Sequence, residues 1–230
     1  GSVDVTITLS PEGGQSAVVD GTLRGIEISG EAPVTINRVD LAASLRDLVA
    51  APAGTATVRV TSLNTGDIEL EQITLAADSD GRTATADLNI AGQMGSGRLA
   101  KALRVSMATE ARLDAKPMTV TVSKLEASQG AVAGQDDAVV LSARLRDPLA
   151  LTLGDGVGFD NLALLLSAGR ESGVLSGKGR LDPAKLNVVL ALQDLPADLA
   201  RAADPTLDLR GTLNAELSVQ GRIENPNVDL

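Results

Sequence analysis

Carboxylates are the residues in this chain best supplied for chemistry, and their setting decides what they can do. Asp and Glu number 30 against 20 Lys and Arg, a net charge of −10, and there is no histidine or cysteine. Without imidazole or thiolate, metal sites built on those ligands are excluded, and so is any Ser-His or Cys-His nucleophile pair. Asp136-Asp137 could meet calcium in a turn, but no run has the regular Asp/Asn/Gly spacing of a calcium loop. Most other acids alternate with apolar residues or sit in turns, where solvated charge is the ordinary role. Two glycine-rich stretches, Gly92 to Gly97 and Gly177-Lys178-Gly179, suggest a phosphate cradle, but each leads into a strand-like segment. A cradle needs a helix N-terminus, so neither reads as one, and Gly92 to Gly97 reads as a tight turn. The chain therefore reads as a non-enzyme with no catalytic residue, no metal and no cofactor. The acidic balance also argues against nucleic acid and against a basic patch for anionic headgroups.

The elements that would position these groups are strands. From Thr212 to Ile223 the sequence alternates without a break: Leu213, Ala215, Leu217, Val219 and Ile223 on one parity, Asn214, Glu216, Ser218, Gln220 and Arg222 on the other. Side chains on a strand point alternately to opposite faces, so this run describes a sheet with one apolar and one wetted side. The same texture predicts strands at Val3–Leu9, Val19–Ile28 (parity slipping near Gly25, as at a bulge), Thr55–Leu63, Asp67–Ala76, Ala84–Ile90 and Leu99–Leu113. It continues at Met118–Leu125, Val139–Leu145, Leu149–Leu153, Leu162–Ala168, Val174–Leu181 and Leu186–Leu192. Turn signals separate them, among them Asp80-Gly81, Asp147-Pro148, Gly154-Asp155-Gly156 and Asp182-Pro183. Leu99–Leu113 is long for a strand, spanning roughly 45 to 50 Å at full extension.

Two stretches have helical spacing instead. Leu45, Leu48 and Val49 predict one turn before Pro52, and Leu195, Leu199 and Ala202 predict another between Pro196 and Pro205. Together with Gly21-Thr22-Leu23 and Gly211-Thr212-Leu213, the stubs at 45–51 and 196–204 could mark repeat boundaries within one continuous unit, 1–230. Phe159 is the only aromatic residue, so Leu, Val, Ile and Ala must supply the apolar area that rings normally provide. A sandwich with a covered core is the common home for such strands. Their number and their lack of ring anchors favour an open sheet. Gly1-Ser2 reads as a cloning scar and Val228 as the start of a further strand, so a fragment of a longer protein is expected.

The last third carries a resemblance. Leu175-Ser-Gly177-Lys-Gly179-Arg-Leu181, the strand Leu186–Leu192, Leu195-Pro196 with its helical stub, and Leu209-Arg-Gly211-Thr-Leu213-Asn-Ala-Glu-Leu217-Ser-Val219-Gln-Gly221-Arg-Ile223-Glu-Asn225-Pro226 stand in an order that resembles the TamB family. The likeness covers about residues 149 to 230; before that only the strand texture matches, and the wider AsmA-like group of bridge-like lipid transfer proteins shares it. The resemblance implies an all-β fold: a long curled antiparallel sheet, the β-taco or β-groove, with an apolar concave face and one or two short connecting helices. It implies a periplasmic segment of a Gram-negative envelope protein anchored in the inner membrane, carrying phospholipid to the outer membrane and meeting a TamA/BamA-like outer-membrane partner. The lack of the family's terminal aromatics places this segment upstream of that contact.

The residues expected to hold phospholipid acyl chains are Leu103, Val105 and Met107; Val188, Leu190 and Leu192; and Leu213, Leu217 and Val219. Two rivals stand beside this reading: a chaperone-like face or edge that binds unfolded outer-membrane strands by β-augmentation, and a structural spacer with a packed β core.

Overall fold

The computed structural model describes residues 1–230 apart from 12–14, 31–32, 49, 96–100, 132–140, 198, 200–210, 224 and 230. Alternation is converted into strands almost throughout: β1 (Ser2–Ser10), β2 (Ser16–Ile28), β3 (Val34–Arg46), β4 (Ala53–Thr65), β5 (Ile68–Asp80), β6 (Thr83–Met94), β7 (Lys101–Arg112), β8 (Met118–Ala131), β9 (Leu141–Leu145), β10 (Leu149–Leu153), β11 (Val157–Ala168), β12 (Glu171–Leu181), β13 (Lys185–Pro196), β14 (Thr212–Arg222) and β15 (Asn225–Asp229). They form one antiparallel sheet in which each strand lies beside its neighbours in sequence. Residues 141–145 and 149–153 share one place in it, both pairing with β8 on one side and β11 on the other. Asp147-Pro148 is thus a bend within a single strand direction, not the reversal that its turn signal predicts.

Hairpin chemistry is local. Thr65 pairs with Ile68 and Ala168 with Glu171, leaving two-residue loops that open on Gly66 (φ 54°) and Gly169 (φ 62°). Those positions need the left-handed backbone of a primed turn, which glycine enters without a Cβ penalty. At the β5–β6 turn the Asp80 carboxylate accepts hydrogen bonds from the backbone N–H of Arg82 (2.8 Å) and Thr83 (2.7 Å).

A crease crosses four strands. Apolar positions in β2 are odd up to Leu23 and even from Ile26, and β3, β4 and β5 switch parity between the same rungs, at Asn37, Ser62 and Glu71. Gly25 (φ 60°) and Ser62 (φ 54°) take the left-handed conformation that turns the following residues over. The crease ends against β6, where Glu71 is the extra residue of a bulge. Because all four strands switch together, the apolar residues stay on one side of the sheet.

No second layer covers this sheet among the described residues: the substantial contacts of every strand are with its ladder neighbours. The accessible surface is 14832 Å², about half as much again as the roughly 9,700 Å² that a compact monomer of this mass would show. The covered sandwich is therefore not what the strands build.

Several sequence expectations are corrected. Of the stub expected at 45–51, Leu45 and Arg46 end β3, a strand the alternation reading missed: Leu45 pairs with Ala17 and Gly54, and an Ala51 N–H to Asp47 carbonyl bond (3.2 Å) marks a single turn before Pro52. The parity switch at Asn37 hides this strand, because Val34 and Ile36 fall on one parity and Val39, Leu41, Ala43 and Leu45 on the other. In the other stub Pro196 ends β13, Ala197 and Leu199 have helical backbone, and 200–210 lie outside the described residues. The long strand expected at 99–113 is 12 residues, Lys101–Arg112, ordinary for this sheet. Gly177-Lys178-Gly179 lies within β12, in the strand expected at Val174–Leu181. Gly92-Gln93-Met94 ends β6, and Gly95 (φ 89°) bends out of it with its N–H on the Asp67 carbonyl (2.7 Å), while 96–97 lie outside the described residues. Asp136-Asp137 lies outside the described residues.

The Asp80 carboxyl sits below the usual carboxylate range, held there first by the Thr83 and then by the Arg82 N–H bonds. A lowered folded-state value contributes stability above the unfolded value of about 3.9, and the contribution fades as pH falls through the folded one. Asp80→Ala is expected to lower the urea midpoint at pH 7. The gap to the parent should close as pH is taken from about 4 downward, read by circular dichroism melts across that range.

Candidate functional site

The apolar side of the sheet is built rung by rung. Cross-strand pairing sets Val5, Gly21, Leu41, Val58, Leu75, Leu88, Met107 and Leu125 directly opposite one another. The Glu126–Arg144 pair puts Leu125 in step with Leu145, and the row runs on through Leu164, Leu175, Leu192 and Ala215. One rung away a parallel row passes through Val3, Leu23, Val39, Val60, Ile73, Ile90 and Val105. Directly opposed residues share a face, so these rows form an apolar band that reaches from β1 to β14.

All the candidate acyl-chain residues fall on that face. Met107 and Leu192 belong to the first row and Val105 to the second; Leu103 lies one rung further, opposite Gly92. Leu190 pairs with Leu217, Val188 with Val219, and Leu213 with Leu195 beyond a bulge. Leu213 is 54% exposed, and the other eight are half-buried. The full-length rows escaped the sequence reading because they depend on register. Leu41, Leu75 and Leu164 are as central as Met107, but only pairing shows it.

The face is lined without being sealed. Among the described residues the buried apolar side chains are few: Ala17, Ala53, Val122 and Ala168, with Pro196 enclosed where β13 ends. Leu75, in the middle of the first row, is still 37% exposed. Exposure rises at β1, which pairs only with β2 among the described residues: Val3 reaches 71% and Ile7 61%.

Glycines shape the far end of the band. A Cβ on Gly177 would stand 2.6 Å from Leu190 Cδ2 and 2.8 Å from the Val189 carbonyl oxygen. One on Gly179 would meet the Phe159 ring at 2.7 Å and Val188 Cγ2 at 2.9 Å. The single aromatic ring thus lies over a glycine, and β12 accepts the side chains of β11 and β13 into places where its own would stand. Gly-Lys-Gly is a packing device in a strand.

The opposite face is wetted. Short ion pairs run along single strands there, Arg38–Asp40 at 2.7 Å, Lys124–Glu126 at 3.2 Å and Arg180–Asp182 at 2.8 Å. The Arg38 hydrogen bond holds the Asp40 carboxyl low and raises Arg38 in turn. Such exposed pairs contribute little to stability. Among the described residues no group of three or more acids converges as a metal site, and no helix is long and apolar enough to cross a membrane.

Comparison with protein-family models, with curated proteins and with solved structures finds no match for this chain.

If the β12 glycines serve close packing, Gly177→Val must push Leu190 and the β13 backbone aside. A loss of about 1–3 kcal/mol is expected, the usual range for overpacking, whereas Gly30→Ala, with open space around it, should be neutral. Urea denaturation of both variants checks this.

Proposed function

We propose that this chain is a section of a TamB-like bridge in the Gram-negative periplasm, and that its apolar band carries phospholipid acyl chains between the inner and outer membranes. The observation that carries the reading is the continuity of an uncovered apolar band across the whole run of strands. A chain lying on the band would replace water there, at about 0.8 kcal/mol per buried methylene. Aliphatic side chains with one ring and no charge on these rows give a surface without fixed stations, which suits sliding over selection. The order of motifs from Leu175 to Pro226 supports the family, and the parent chain would meet its TamA/BamA-like partner elsewhere. The polar face would look onto the periplasm.

A second reading is that unfolded outer-membrane strands add to the sheet by β-augmentation. In β1, Val3, Ile7 and Leu9 are 61–71% exposed.

The decisive variant is Leu217→Glu. On an open band the new carboxylate reaches water, so the variant should fold with a urea midpoint close to the parent's and lose crosslinking of photoactivatable phospholipid. Under a covered core the same change would cost several kcal/mol by burying an unpaired charge. Lipid that fails to crosslink to the parent protein at Met107, Leu190 or Leu217 would sink the conduit. An alternating peptide crosslinking along β1 in its place would favour strand capture.

A further inference from the structure

The described residues hold a concavity of about 660 Å³ on the polar side, not the apolar side, of β5 to β9. Most of its polar lining comes from two rungs, with Lys124, opposite Ala108, on a third. Pairing sets Gln72, Ala91, Arg104, Ser128 and Ser142 opposite one another on one, and Thr74, Asn89, Ser106, Glu126 and Arg144 on the next. Ile90, Val105, Ala127 and Ala143 also line it. By strand alternation their side chains belong to the apolar face, so their backbone forms the floor.

The charge of this hollow contradicts that of the chain. Arg104, Arg144 and Lys124 stand there against the single carboxylate of Glu126, in a molecule of net charge −10. Lys124 is occupied by Glu126 at 3.2 Å. Among the described residues, neither Arg104 nor Arg144 has a side-chain hydrogen bond or ion pair, and the hydroxyls of Ser106, Ser128 and Ser142 are equally uncommitted. Two free guanidinium forks thus flank a floor of free hydroxyl donors. Their strands are two spacings apart and their rungs one step apart, roughly 12 Å between the backbones, a gap that two arginine side chains are long enough to bridge to one oxyanion. Planar guanidinium matches phosphate oxygens two at a time, and hydroxyls take the remaining acceptors.

We propose that this hollow binds a phosphate group, with Arg104 and Arg144 as the charged clamp and Ser106, Ser128 and Ser142 as neutral donors. The phosphate could be that of a soluble phosphate compound or of a lipid headgroup; the chemistry of the clamp is the same. The site lies on the face away from the apolar band, so it stands or falls separately from lipid carriage: Leu217→Glu should leave it intact.

The test titrates the whole chain with inorganic phosphate, followed by 31P line broadening at low ionic strength, and floats it with phosphatidylglycerol vesicles in parallel. Arg104→Gln with Arg144→Gln should weaken binding at least tenfold. Arg46→Gln, on β3 outside the hollow, should leave it unchanged. Broadening without flotation assigns a soluble phosphate, and flotation that needs the two arginines assigns a headgroup. Absence of binding in both arms, or an equal loss in Arg46→Gln, overturns the proposal. Should the double glutamine variant fail to fold by circular dichroism, Arg104→Lys with Arg144→Lys keeps the charge and removes the forks. It should still lose binding severalfold, and unchanged affinity would overturn the clamp.

Discussion

Everything in this molecule follows from having one layer. A sheet with no second sheet or helix upon it must shelter its apolar side chains sideways, each against the residues opposite it on the two adjacent strands. The hydrogen-bond ladder therefore does two things at once. It satisfies the backbone, and it fixes which Leu, Val and Ile stand together. Register is severe under that constraint, because a slip of one residue would turn a strand's whole apolar set to the wet side. The matched parity switches at Gly25, Asn37, Ser62 and Glu71 show the constraint at work: a crease is tolerated when every strand it crosses takes it on the same rung.

The same constraint explains the composition. Rings reach far above a sheet and are best covered by a second layer, which is missing here among the described residues. Branched aliphatics fill the space between neighbouring strands and go no higher. The one ring, Phe159, lies down over Gly179 instead of standing. Glycines in β12 let neighbouring side chains lie low, and the band is left as a continuous aliphatic surface.

Much of this was legible in the residues. Alternation located most strands, and the chemistry excluded by the lack of His and Cys never depended on a structure. The candidate band residues all came to one face because the parity of β7, β13 and β14 is unambiguous. What stayed hidden was whatever pairing decides. The strand at Val34–Arg46 was obscured by its own parity switch and by Leu45 and Leu48, whose spacing mimics a helical turn. Asp147-Pro148 carries turn residues yet only bends its strand. The polar hollow joins Gln72 to Arg144 across five strand positions, and the chain's net negative charge pointed away from any cationic site.

Because the substantial contacts of each described strand are with its ladder neighbours, the sheet is close to one-dimensional, and its stability is nearly a sum of local terms. Inserting or deleting a hairpin would disturb the two ladders it separates and leave the rest in place. The architecture is thus a ruler graduated in hairpins of about 9–10 Å, whose reach evolution can lengthen or shorten without redesigning a core.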